Sequence, residues 1–408
     1  METTGRHLIT LRRGRSVQAA SFIEKISGPV ADSRELGAGI AMFSPENTTV
    51  VYQRVGVAIG NLDPDQAVAV AQVDDVLAVE EERICYAVYN ADYMRGFQAG
   101  VTAATSAALE APNPARAVAV AEILNESLAT WGLQATNVLN SRFSGKGIKI
   151  AILDTGLASS HPDFAKRAGI TMKSHIPGVA SAEDGHGHGT HCAGSAGGVA
   201  TPQSGPRYGV ASSAELFIGK VLNDRGNGAD GDIIAGIEWA LQEGCALVSM
   251  SLSAPVAVGA AFSTAYEQAA AAALEDGCLI IAAAGNDSRR PSVFAPVGHP
   301  ANCPSILAVA AVDDQMQVAA FSNAQVGAGK AVAIAGPGVQ IYSSWLPPRA
   351  FNTISGTSMA APHIAGIAAL YAESTGTRGQ ALQTALLKGA RSLGLPSTDV
   401  GSGLAQAP

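Results

Sequence analysis

At 408 residues the chain exceeds one ordinary small domain, and 45 glycines with only 15% charged residues suit a folded body with tight turns rather than a disordered one. A formal net charge of −8 and the lack of a long basic run leave no footprint for nucleic acid or for an anionic membrane surface, so neither is an expected partner. No apolar run approaches bilayer length and residues 1–7 contain no apolar leader core, so a cytoplasmic location is expected as written, or export if a leader precedes these residues.

In chain order, residues 7–11 read as a strand and 16–26 as a helix with Ser16 as its N-cap. Residues 39–62 alternate around a turn at 45–47 and read as two strands, Asp63-Pro64 opens a second helix, and 77–88 returns to strand. That order, βαββαβ, predicts a ferredoxin-like domain over residues 1–90. Residues 91–129 change texture, with Pro112-Asn113-Pro114 and an Ala-rich helical stretch at 115–128, and read as a connecting segment. From 130 to 408, apolar strands at 149–153, 216–222, 245–252, 278–284 and 306–312 alternate with helices at 232–243 and 263–275. Continuous apolar strands bounded by helices predict a three-layer α/β domain with a predominantly parallel sheet.

In such a sheet the ligand crevice lies beyond the carboxyl ends of the strands. That rule selects Asp154 after the first strand, Ser251 and Leu252 in the third, and Gly285 with Asn286 after the fourth. Two glycine-rich loops leading into helices add His188 (187–194) and Ser358 (355–362). A serine hydroxyl is a poor nucleophile until an imidazole takes its proton, and the imidazole needs a carboxylate to fix its tautomer and stabilise its charged form. Ser358, His188 and Asp154 supply those three groups. The helix start at Ser358 adds N–H donors where an oxyanion would develop, and Asn286 can add a side-chain amide.

The segments Asp154-Thr155-Gly156, 188–194, 283–286 and 356–366 resemble the four signature segments of the subtilisin-like serine proteases, and Asp, His, Ser is their chain order. The resemblance covers residues 130–408, and His191-Cys192 is similar to the proteinase K branch. Residues 1–90 resemble the family's inhibitory propeptide, including the acidic ending at 79–83. The resemblance implies a serine endopeptidase made as a self-processing zymogen. Its first domain would act as folding template and intramolecular inhibitor, its tail at 86–90 lying across the site and being cut there. It further implies a polypeptide substrate, a monomer, and no cofactor for catalysis. Ser251, Leu252 and Ser253 on one side and Ala283, Ala284 and Gly285 on the other would flank an extended peptide and pair with its backbone. Gly298 would floor the first specificity pocket, which Ser253, standing where the family usually has Gly, makes narrower or more polar. Asp287 at the rim would favour a basic side chain.

Blander readings compete. Ser358 alone could be a helix cap, and Asp154 a strand-end turn residue; the four segments together favour chemistry. His186, His188 and His191 form a HisXHisXXHis run that would serve a metal-dependent hydrolase, and a non-catalytic binding scaffold is the other alternative. His191 reads better as structural and His186 as a solvated loop residue. Asp163 stands where many relatives ligate structural calcium, but the loop at 200–208 has no Asn or Asp to complete a hard cation's shell, so calcium there is not expected. The five cysteines, odd in number and widely spaced in apolar company, read as reduced and buried, Cys192 among them.

Overall fold

The computed structural model describes residues 2–34, 48–88 and 125–408. The turn expected at 45–47, and the connecting segment with its helix as far as residue 124, lie outside these residues.

The N-terminal unit runs β1 (Thr3–Leu11), α1 (Ser16–Ser27), β2 (Val30–Asp32), β3 (Thr49–Tyr52), β4 (Val57–Asn61), α2 (Pro64–Ala71) and β5 (Val76–Ala87). Antiparallel ladders join β5, β1, β4 and β3 in that order, the arrangement of a split-βαβ unit. β2 is an addition, parallel to β3 and too short to leave an alternation in sequence. Ser16 is inside α1 rather than capping it; Arg15 holds the N-cap position and no side chain caps there. α2 does have a capping box, in which Asp63 accepts from the Gln66 N–H and Gln66 accepts from the Asp63 N–H. Ile9, Leu11, Val51 and Ala58 pack on Ala19, Ile23 and Val70 of the two helices. Leu8, Tyr52, Val57 and Ile59, on the other pleat, join the main core of the molecule. A sheet apolar on both faces needs a cover on each, and here the second cover is the C-terminal unit.

That unit contains α3 (Trp131–Ala135), β6 (Lys149–Asp154), β7 (Ile170–Ser174), α4 (His188–Gly197), β8 (Glu215–Lys220), β9 (Asn227–Ala229), α5 (Asp230–Gln242), β10 (Leu247–Met250) and β11 (Leu252–Ser253). It continues with α6 (Thr264–Glu275), β12 (Leu279–Ala283), β13 (Leu307–Val312), β14 (Ile334–Pro337), β15 (Ile341–Ser344), β16 (Phe351–Ile354), α7 (Thr357–Thr375), α8 (Gly379–Lys388) and α9 (Ser397–Val400). Seven strands lie in the order β14-β13-β12-β10-β6-β8-β7, and every ladder is parallel. α4 packs on α7 and α5 on α6, each pair also touching the sheet, which gives three layers. β6 comes first in the chain but sits inside the sheet, so the order reverses there, and its last residue is Asp154. β7, β14 and the β15–β16 hairpin are additions to the sequence reading: β7 is an edge strand of mixed polarity, and β14 carries Gly336 and Pro337. No helix among the described residues is long and apolar enough to cross a membrane.

β5 joins the two units through its acidic residues. Glu82 accepts from the Gly231 N–H (2.9 Å) at the start of α5, and from Arg6 at 2.7 and 2.8 Å. Glu80, on the same pleat, accepts from the Ser263 hydroxyl (2.6 Å) and the Thr264 N–H (2.9 Å) at the start of α6. Two carboxylates two residues apart thus satisfy the open N-termini of two adjacent helices and oppose their dipoles. The C-terminal unit answers with Glu238, which accepts from the Val55 N–H (3.0 Å), and Gln268, which donates to Leu11 and Gly56 carbonyls at 2.9 and 2.6 Å.

Candidate active site

Asp154 ends β6, His188 is the first residue of α4, and Ser358 is the second residue of α7. All three are buried. His188 Nδ1 lies 2.8 and 3.0 Å from the Asp154 oxygens, and the Thr155 N–H donates to the same carboxylate at 2.7 Å. A carboxylate can only accept, so the Nδ1 carries the proton and Nε2 presents its lone pair. The Ser358 hydroxyl donates to the Ser251 carbonyl (3.0 Å), and the Ser251 hydroxyl donates back to the Ser358 carbonyl (2.8 Å). The Cys192 thiol, within 3.8 Å of His188 Nδ1, also donates to the Ser358 carbonyl (3.5 Å), so α4 and α7 meet through these groups. Burial and the nearby Asp154 push the Cys192 thiol well above its usual range, and it stays protonated.

Asp184 was missed in sequence. Its oxygens accept from the Thr155 hydroxyl (2.9 Å), the His186 and Gly187 N–H groups (2.9 and 2.8 Å), and the N–H and hydroxyl of Thr190 (2.9 and 2.6 Å). One buried carboxylate therefore fixes the start of α4 to the residue after Asp154. An Asp four residues ahead of a helix-opening His, across two glycines, was the available signal. Gly156 serves the same approach: its φ is +110°, and a Cβ there would lie 2.3 Å from the Ala182 carbonyl oxygen.

Asn286 follows β12. Its Oδ1 accepts from the Thr357 N–H (3.0 Å) and hydroxyl (2.8 Å), which fixes the direction of the amide, and its Nδ2 donates to the Val88 carbonyl at 2.8 Å. Val88 ends the described part of the N-terminal unit, and the strand leading to it lies between two strands of the C-terminal unit. Tyr86 and Ala87 pair antiparallel with Ser253 and Leu252 of β11; Ile84, Cys85 and Tyr86 pair antiparallel with Ala229, Gly228 and Asn227 of β9; and the Ala87 N–H donates to the Gly226 carbonyl (2.8 Å). The second flanking strand is thus β9, not Ala283, Ala284 and Gly285 as expected. Ala283 continues the parallel ladder with Val309, and the Ala284 N–H is spent on the Val309 carbonyl. Gly226 and Gly228 leave β9 without the apolar alternation that marks a strand in sequence. The Gly285 N–H donates to the Thr357 hydroxyl (3.2 Å) beside Asn286.

Gly298 donates its N–H to the Ala284 carbonyl (2.9 Å), and a Cβ on it would come within 2.2 Å of the Ser253 hydroxyl oxygen. Ser253 thus presses on Gly298, and its buried hydroxyl has no hydrogen-bond partner among the described residues. Asp287 is turned to Asn323, from whose Nδ2 it accepts at 2.9 Å.

His186, His188 and His191 do not converge on one point. His191 Nε2 is bonded to the Ile341 carbonyl (2.9 Å), and its burial pulls its pKa down to about 3, so it is a neutral structural residue as expected. His186 is half-buried rather than solvated. Among the described residues, the His, Cys and carboxylate groups whose ligand atoms do lie within 4.8 Å of one another are Asp154 with His188 and Cys192, and Asp230 with His299 and Cys85. Asp163 accepts from the Tyr208 hydroxyl (2.6 Å) and the Gln203 N–H (2.8 Å). These donors aim hydrogens at the oxygens a cation would need, so the residues present do not fit calcium at that position. All five cysteines are free and buried.

A buried Asp–His pair and a helix-start serine, gathered at the carboxyl ends of parallel strands, define a serine hydrolase. Residues 145–403 match the subtilase family of peptidases (S8), and the chain belongs to that family. It is similar to subtilisin DY of Bacillus licheniformis, 38% identical over 238 residues that make up 58% of this chain and 81% of that protein. Subtilisin BL of Lederbergia lenta is 41% identical over 243 residues, 59% of this chain and 82% of that protein. A cuticle-degrading protease of Metarhizium anisopliae is 38% identical over 265 residues, 61% of this chain and 62% of that protein. The protein is a serine endopeptidase, and catalysis in its family requires no cofactor.

Proposed function

We propose that the enzyme cleaves its own chain between Val88 and Tyr89 and thereafter cuts other polypeptides laid in the same groove, with Ser358 as nucleophile, His188 as general base and Asp154 orienting the imidazole. The observation that carries this reading is the Val88 carbonyl resting on the Asn286 amide while residues 84–87 are threaded between β9 and β11. Counting back from that carbonyl, Val88 occupies the first subsite before the cut, Ala87 the second, Tyr86 the third and Cys85 the fourth.

In the first step Ser358 Oγ adds to the Val88 carbonyl carbon and its proton passes to His188 Nε2, leaving an imidazolium held by Asp154. The oxygen of the adduct takes the negative charge, with the Asn286 amide and the N-terminus of α7 as its donors. Collapse breaks the bond to the Tyr89 nitrogen, which receives the proton from His188, and water then releases the acyl group by the same route. Ser251, Leu252 and Ser253 hold the substrate backbone from one side, and Gly298 with Ser253 closes the first pocket, so that small aliphatic residues such as Val are preferred there.

The N-terminal unit, residues 1–88 after the cut, would remain as a product-like inhibitor, with Glu80 and Glu82 anchoring it, and would template a parallel sheet whose contacts are mostly non-local. The enzyme works as a monomer. Its five free thiols place no demand on the redox state of its compartment. The test is a serine-reactive phosphonate applied to processed enzyme: labelling mapped to Ser358, with loss of activity and indifference to chelator, supports the reading. Silencing by chelator with Ser358 unlabelled would favour the metal hydrolase, and an unlabelled, inert protein the scaffold.

A further inference from the structure

The second cluster of buried polar groups lies under the fourth residue of the threaded strand. Asp230 opens α5 and His299 follows Gly298; both are fully buried. His299 Nε2 lies 2.9 Å from Asp230 Oδ1, the Cys85 thiol donates to that same oxygen at 3.4 Å, and the Arg83 N–H donates to Oδ2 at 3.0 Å. The Arg83 guanidinium reaches His299 Nδ1 at 3.3 Å. A guanidinium has only hydrogens to offer, so Nδ1 is the acceptor and the ring proton sits on Nε2, facing Asp230. That leaves His299 no lone pair for a metal, although Cys, His and Asp meet here. The Tyr266 ring stands edge-on to His299 with centroids 4.6 Å apart, and its hydroxyl donates to the Asp230 carbonyl at 3.3 Å, which holds both side chains in place.

We propose that Asp230 and His299 determine specificity at the fourth residue before the cut, selecting a small side chain that ends in a hydrogen-bond donor, Cys or Ser, with Arg favoured two residues earlier. The inference rests on the register in which Val88 precedes the cut. With Cys85 in place the Asp230 carboxylate is fully engaged: thiol, imidazole and Arg83 N–H. A Leu or Phe side chain in the same position would cover the carboxylate without donating to it, leaving a buried charge one donor short with only the imidazole and the Arg83 N–H to hold it. A site built around a hydrogen bond rejects the analogue that lacks it more strongly than an apolar pocket rejects one extra methylene. The arginine adds a weaker selection, since its guanidinium is only half-buried and meets a neutral nitrogen.

The experiment uses self-processed full-length protein and quenched peptides of the parent sequence Arg-Ile-Cys-Tyr-Ala-Val-Tyr-Asn, with Cys replaced by Ser, Leu or Phe, reductant present, and each cut site read by mass spectrometry. The expected result is cleavage between Val and Tyr, with kcat/KM for the Cys and Ser peptides at least about tenfold above Leu and Phe, and about a threefold loss when the Arg is replaced by Ala. In Asp230→Leu enzyme the Leu-to-Ser ratio should rise at least about tenfold. Cutting between Val and Tyr with Leu or Phe equal to Ser overturns the subsite and leaves the cleavage register standing. A parent peptide cut elsewhere, or not cut, overturns the register and the subsite with it. The wild-type comparison decides the matter even if Asp230→Leu does not fold.

Discussion

Two buried Asp–His pairs stand in this molecule, Asp154 with His188 and Asp230 with His299, each with a buried cysteine thiol beside it and nearly equal bonds of 2.8 and 2.9 Å. They differ in the nitrogen used. Asp154 takes Nδ1 and so turns the Nε2 lone pair of His188 outward, the atom a nucleophile needs. Asp230 takes Nε2, and the remaining nitrogen of His299 is occupied by the Arg83 guanidinium. A carboxylate–imidazole pair in a dry site is therefore no signature of catalysis by itself; what the second nitrogen faces decides whether the pair moves a proton or reads a side chain.

The contrast can be broken most sharply at the histidines. His188→Ala should lower kcat by about 10⁶-fold, the size found for the equivalent removal in subtilisin, a relative of this chain, whereas His299→Ala should act on peptide selectivity by about tenfold. Comparable losses in kcat from both would erase the distinction. Next in size is Asn286→Ala, which removes the donor resting on the Val88 carbonyl: a fall of about 10²- to 10³-fold in kcat, again the range measured in subtilisin, with substrate affinity nearly unchanged. Glu82→Ala leaves the Gly231 N–H without its acceptor and the Arg6 guanidinium with Asp232 alone at the seam between the units, costing about 3 kcal/mol. The lag between self-cleavage and full activity should then shorten about 100-fold, read as the time course of peptide hydrolysis after processing.

The smallest effect concerns histidines that belong to neither pair. Burial pulls the pKa of His175, His191 and His363 down to about 3, so the folded protein keeps them neutral while the unfolded chain protonates them near 6.5. Their stabilising effect is intact above about pH 6.5 and is lost progressively as the pH falls toward 3. Replacing His175, which packs tilted against Trp239, by Phe should remove one of these protons and reduce the acid loss by up to about 1.4 kcal/mol per pH unit, measured as unfolding midpoints between pH 6.5 and 5.

The candidate catalytic set was legible because each member sits in a local segment whose glycines and helix start can be read in sequence, and because strand ends in a parallel sheet point to one crevice. The central strands were legible for a related reason: β12 and β13 are wholly buried, and a run such as residues 278–284 admits few other readings. What escaped depended on partners distant in the chain. Asp230 and His299 are 69 residues apart, and neither belongs to a motif that would link it to the other. β9 pairs with residues 84–86 and its glycine carries no strand signal of its own, so the second wall of the groove is assigned in sequence to residues 283–285 instead. Ser16 looked like a cap by type, but a cap is defined by backbone position, and that position fell to Arg15. The acidic ending at 79–83 was visible, yet its purpose, covering two helix starts, needed the C-terminal unit in place.

One peptide bond delivered to one serine is the centre of the proposed mechanism, and the most direct measurement is the N-terminal sequence and intact mass of the full chain after incubation alone, beside the Ser358→Ala variant. Wild type should yield a fragment ending at Val88 and a new N-terminus at Tyr89, while the variant stays whole. A first cut at any other bond, or a cut at Val88 in the variant as well, would contradict it.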